Sequence, residues 1–206
     1  MRLTMLFLMV VTGVFAQENK DINSEDMAKA MKEMQNAFQQ MNQATADVEV
    51  IGFRELKKVL PDEVIGVARS KASGEKNATM GMKVSKAKGE YGTRGQGPHL
   101  TLEIIDTGTL KGIMGMSLAG WTMMEVDRES DTEMEQTFSY KGYKGYKKYH
   151  FERKDGEVSL ILGGRVVVQV KLWDVSFEQI EKALESLDFK GIEALVASVS
   201  HEEKKQ

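Results

Sequence analysis

Apolar residues change their spacing several times along this chain, and each change predicts an element. Met27, Met31, Met34, Phe38 and Met41 recur at steps of four and three behind an N-cap-like Ser24 with Glu25 and Asp26. That spacing predicts a helix of about five turns with one narrow apolar stripe. Phe53, Leu56, Val59 and Leu60 predict a short amphipathic helix that Pro61 ends. The period then falls toward two. Strands are expected over Val64–Ser70, over Thr79–Lys86 with a weak continuation to Tyr91, and over Leu100–Ile105, with GTRGQGP (92–98) as a loop. Residues 109–121 return to helical spacing, and Gly112, Gly115, Ala119 and Gly120 predict a small-residue helix packed on a sheet. A meander follows. Strands are predicted at 122–129, 133–141 and 143–153, then along Val158, Leu160 and Leu162, and along Val166, Val168 and Val170. Turns are expected near Ser130-Asp131, at Asp155-Gly156 and at Gly163-Gly164. Ser176 with Gln179 reads as a capping box opening a helix with the stripe Phe177, Ile180, Leu184 and Leu187. A last helix is predicted from Gly191 to Ser200, before a solvated tail, 201–206.

Strands beside strands with helices at both ends predict an α+β class, a single antiparallel meander sheet packed against helices. The expected division is 17–47 as an N-terminal Met-striped helical segment and 48–200 as the α+β domain. The first sixteen residues, MRLTMLFLMVVTGVFA, have a charged start at Arg2, a short apolar run, and Val14 and Ala16 at small-residue cleavage positions. This is the pattern of a secretory signal peptide cut after Ala16, and the run is too short for a spanning helix. Export to the periplasm or outside the cell is therefore expected, and no transmembrane segment is expected in the mature chain.

Composition narrows the chemistry. The 206 residues contain no cysteine, which excludes disulfides, Cys-ligated metals and a thiolate nucleophile. Lys plus Arg number 28 against 31 for Asp plus Glu, so a nucleic-acid partner is not expected. Glu125, Asp127, Glu129, Asp131, Glu133 and Glu135 occupy alternate positions, a spacing that on a strand shares one face. A calcium-like cation site is one reading. The structural reading pairs the acids across strands with the face of Lys144, Tyr146, Lys148 and His150, while Tyr143, Tyr149 and Phe151 face the other way. No cofactor is expected. Methionines at Met80, Met82, Met114, Met116, Met123 and Met124 suit soft copper ligation, but His99, His150 and His201 have no metal spacing. Ser117 in GMSLA lacks the second glycine of a nucleophile elbow.

Several stretches together carry a resemblance: FRELKKVLPDEVIGVARSKASGEKNATMGMKVSKAKGEY, LTLEIIDTGTLKGIMGMSLAGW, SYKGYKGYKKY and GGRVVVQV. In layout the chain resembles an uncharacterised family of exported bacterial proteins. More loosely, the meander with its terminal helix is similar to α+β folds of the PsbP/Mog1 type, which act as binding or assembly modules. The resemblance implies a non-enzymatic role in binding. The expected interaction surface is Met27, Met31, Met34, Phe38 and Met41, docking a protein partner or a second copy, or covering a small apolar ligand. The alternatives are a methionine-based copper carrier and a serine hydrolase using Ser117.

Overall fold

The computed structural model describes residues 48–79, 82–109, 121 and 124–203, together with Lys32. The chain divides into two units, Met1–Met41 and Asn42–Gln206, and the fold described here is that of the second. The predicted leader, the Met-striped stretch and the helix predicted over 109–121 lie outside the described residues, apart from Lys32, Thr109 and Trp121.

A short helix, α1 (Phe53–Lys58), opens the described chain and stops before Pro61 as its spacing predicts. Nine strands follow: β1 (Glu63–Val64), β2 (Val67–Thr79), β3 (Met82–Tyr91), β4 (His99–Asp106), β5 (Asp127–Glu129), β6 (Glu133–Tyr140), β7 (Tyr143–His150), β8 (Asp155–Leu162) and β9 (Val166–Trp173). Two helices close the chain, α2 (Phe177–Glu185) and α3 (Phe189–Glu203). All nine strands form one antiparallel sheet in the order β1-β2-β3-β4-β9-β8-β7-β6-β5. Two meanders grow inward from opposite edges and meet where β4 pairs with β9.

The expected α+β class is therefore corrected. The fold is mainly β, with only small helices laid on the sheet. Nine strands form where apolar alternation predicts eight, and several of them run longer than predicted. The stretch Val64–Ser70 is not one strand. Ile65 (φ 47°) and Gly66 (φ 81°) make a two-residue hairpin turn inside it. Past that turn β2 runs on through the polar SKASGEKN, which has no apolar period to betray it. Its strand character comes from continuous pairing with β3. Asp155-Gly156, expected as a turn, instead opens β8; the chain reverses through Phe151–Lys154, with Lys154 at φ 51°. The strand predicted at 122–129 is reduced to Asp127–Glu129.

Side chains alternate across the sheet and give it two unlike faces. The inner face holds the core. Leu100, Leu102 and Ile104 of β4 join Val158, Leu160 and Leu162 of β8, and Val166, Val168, Val170 and Leu172 of β9. Leu56 from α1, Ile180 and Leu184 from α2, and Ile192 and Val199 from α3 complete this cluster. Ser176 and Gln179 form the expected capping box on α2, the Gln179 carboxamide accepting the Ser176 N–H at 2.7 Å. Lys147 is also on this face. Its ammonium lies over the Phe138 and Phe177 rings, at 5.2 and 5.6 Å, and pairs with Glu181 of α2. Such a cation keeps its charge partner where water is excluded.

Candidate functional site

Strand register builds the outer face row by row. Because each pair is antiparallel and in register, residues from successive strands stand side by side. One row reads Glu133, His150, Asp155, Trp173, His99 across β6, β7, β8, β9 and β4. The next reads Glu135, Lys148, Glu157, Lys171, Thr101 across the same strands. Farther along lies an apolar patch, in which Ile105 and Val167 are buried and Val84 and Ile161 pack against them. The outer face is therefore graded, charged and aromatic at one end and apolar at the other.

The two polar rows line a cavity of about 260 Å³, bounded by Lys148, His150, Arg153, Asp155, Gly156, Glu157, Lys171 and Trp173. At its centre His150 is held between two acids. Its Nδ1 lies 2.8 Å from Asp155 Oδ1, and its Nε2 lies 3.5 Å from Glu133 Oε2. The Nδ1 contact is electrostatic, because its angle falls outside that of a directed hydrogen bond. Arg153 Nε closes the other side of Asp155 at 3.2 Å from Oδ2. Trp173 and His99 stack with ring centroids 5.1 Å apart and planes 9° from parallel. The stack separates this cavity from a neighbouring one bounded by Lys88, Glu90, Arg94 and Thr101.

Charge is largely neutralised within the rows. Lys148 Nζ is 2.6 Å from Glu135 Oε1 and 3.2 Å from Glu133 Oε2, and Arg128 Nη2 reaches Glu135 at 2.9 Å. The Lys148 hydrogen bond holds the Glu135 carboxyl below its ordinary range, and Glu135 raises the Lys148 ammonium in turn. Burial first, and then Glu135, pushes the Tyr146 phenol up. Trp121 stacks on Tyr146 with ring centroids 5.9 Å apart.

The acidic ladder is only half as expected. Glu133 and Glu135 do face Lys148 and His150 across β6 and β7. The ladder, however, folds back on itself at Ser130–Thr132, so it does not occupy one face. Arg128, not an acid, stands opposite Glu135 on β5, while Asp127 and Glu129 stand opposite Gln136 and Met134. Among the described residues, no group of three or more His, Cys, Asp or Glu side chains converges as a metal site would require.

Of the other predicted positions, Met27, Met31, Met34, Phe38 and Met41 lie outside the described residues, as do Met80, Met114, Met116, Met123 and Ser117. Met82 begins β3, Met124 is exposed, and His201 falls within α3. His99 and His150, far apart in sequence, stand in the same row. Asp155, Glu157, Lys171 and Trp173 line the cavity although no sequence motif singles them out. Their signal was the period of two in DGEVSLIL and VVVQVKLW, whose polar positions share the outer face. No family model, no curated protein and no solved structure matches this chain. Among the described residues, no helix is long and apolar enough to cross a membrane.

Proposed function

We propose that this chain is an exported, non-enzymatic binding protein of the cell envelope, and that the groove over β7, β8 and β9 holds its ligand. One observation carries the reading. The concavity over these strands has a stacked imidazole–indole ledge at its edge and side chains of both charge signs, and among the described residues its lining includes no Ser, Thr or Cys. His150 lies beside Asp155 without a directed hydrogen bond to it, and among the described residues no hydroxyl or thiol lines the cavity to be activated. Binding needs no such nucleophile. A ledge flanked by Lys148, Arg153 and Lys171 and by Asp155 and Glu157 favours a small polar ligand with one flat face and hydrogen-bonding groups around it. The leader pattern of residues 1–16 supports export.

Native mass spectrometry of protein purified from the exported fraction tests both parts. The expected result is a chain beginning at Gln17 that carries a small polar molecule, and Trp173→Ala loses that molecule while the far-ultraviolet circular dichroism is unchanged. A chain that retains residues 1–16 overturns export. A bound species indifferent to Trp173→Ala overturns the groove.

A further inference from the structure

Among the described residues, β2 is a long sheet edge with no partner strand over most of its length. Strand β1 covers only Val67 and Ala68. The Arg69 N–H is taken by the Asp62 carbonyl at 2.8 Å. From Lys71 to Ala78, β2 pairs with β3 on one side, and among the described residues no strand pairs with the other. Every residue of that stretch except Gly74 is exposed. Alternate N–H and C=O groups there are a template for another strand. Folds usually blunt such an edge with charged side chains, a proline, a bulge or a cover, and here Lys71, Glu75 and Lys76 supply charges of both signs. Here there is no proline from Lys71 to Ala78, and the bulge lies before it, between Arg69 and Lys71. The edge is also held in shape from the inner side: Phe53 of α1 packs so closely on Gly74 that a Cβ there would lie 2.8 Å from its ring.

We propose that the β2 edges of two copies pair antiparallel about a two-fold axis through Ser73, joining two nine-stranded sheets into one. The choice of occupant rests on charge. When identical edges pair antiparallel and both faces continue across the seam, the axis must pass through a residue, so that each side chain meets one of its own face. An axis through Lys71, Glu75 or Lys76 sets like charges opposite each other. An axis through Gly74 gives Lys71 to Asn77 and Lys76 to Ala72, with no ion pair. An axis through Ala72 relies on Arg69, already 2.6 Å from Asp62. The axis through Ser73 alone sets Lys71 opposite Glu75 of the second copy and Glu75 opposite Lys71. It also sets Ala72 opposite Gly74, small against small. Within each copy Glu75 is already steadied by Lys86 at 3.3 Å.

Analytical ultracentrifugation of the full chain tests this. At about 0.1 mM, where a micromolar Kd is saturated, a dimer is expected. Ser73→Pro disrupts the pairing edge, and the expected result is a monomer. Lys71→Glu and Glu75→Lys each weaken the dimer by about tenfold or more, and the double exchange Lys71→Glu/Glu75→Lys restores it, because opposite charges face again. The restoring double variant separates pairing from misfolding. A monomeric parent chain at that concentration overturns the proposal. So does a dimer unmoved by either single reversal, or one lost in Met31→Lys/Met34→Lys but kept in Ser73→Pro.

Discussion

Asp106 sits at the end of β4 with no solvent exposure, and Arg165 reaches it from the β8–β9 turn. The guanidinium meets the carboxylate at both oxygens, Nε to Oδ1 and Nη2 to Oδ2, each at 3.0 Å. Asp106 also accepts the Ile51 N–H at 2.7 Å and the Gly108 N–H at 2.9 Å, and Arg165 Nη2 donates to the Glu49 carbonyl at 2.6 Å. The pair therefore clasps residues 49–51 to the sheet. A buried ion pair adds little net stability when whole, because desolvation offsets attraction, but removing one member leaves a charge stranded. Asp106→Ala is expected to cost about 3–5 kcal/mol for that reason. Asp106→Ala/Arg165→Met is expected to cost no more than Asp106→Ala alone, since the second change removes the charge the first stranded. Urea unfolding of the parent and the three variants measures the cycle. Additive losses would show that the two residues act independently and that the clasp is not the unit described.

Hairpin geometry decides where the meander can reverse. At the β8–β9 turn Gly163 and Gly164 have φ of 56° and 66°, and the Arg165 N–H closes on the Leu162 carbonyl at 3.2 Å. The two glycines are not equivalent. A Cβ on Gly164 meets open space, whereas one on Gly163 would lie 2.8 Å from Val196 of α3. Gly164→Ala should therefore lose about 1–2 kcal/mol from left-handed backbone strain alone, and Gly163→Ala should lose more and have the lower thermal midpoint of the two. Equal midpoints would mean that α3 yields freely at the turn. This reversal was legible because glycine pairs advertise positive φ. The ones at Ile65-Gly66 and at Lys154 were not, since Ile and Lys carry no such signal and adopt φ of 47° and 51° under the pull of the flanking ladders. Likewise β8, β9 and the α2 capping box were written in apolar spacing, while the polar half of β2 was written only in its partner β3. The candidate site follows the same rule. Its acids and lysines on β6 and β7 were legible as facing strands, but Asp155, Trp173 and His99 join them only through a register spanning five strands.

Taken as a whole, the sheet ties its stability to pH at both ends of the range. On the acid side, hydrogen bonds from Lys76 and then Lys83 hold the Glu49 carboxyl below its ordinary value, and Lys148 does the same for Glu135. A lowered folded-state value contributes stability that is present above the unfolded value of 4.5 and is lost as pH falls below it. On the alkaline side burial raises the phenols of Tyr140, Tyr146 and Tyr149, and pushes Tyr91 up to about 12. Tyr91 is buried, and its hydroxyl donates to the Pro61 carbonyl at 2.9 Å, joining β3 to the end of the α1 segment. A raised value has the opposite sign. Its contribution is complete below the unfolded value of 10.0 and is lost as pH rises from there toward 12, because the unfolded chain ionises first. Stability should accordingly form a plateau, with an acid limb set by carboxylates and an alkaline limb set by the raised phenols and by the Lys148 ammonium, which Glu135 also raises. Tyr91→Phe separates the limbs. At pH 7 it should cost about 1 kcal/mol for the lost hydrogen bond, and between pH 10 and 12 its stability should fall less steeply than the parent's, while the acid limb stays unchanged. Urea midpoints taken across the pH range read both effects from one series. An alkaline limb of unaltered slope in Tyr91→Phe would assign that limb to the other three phenols and to Lys148.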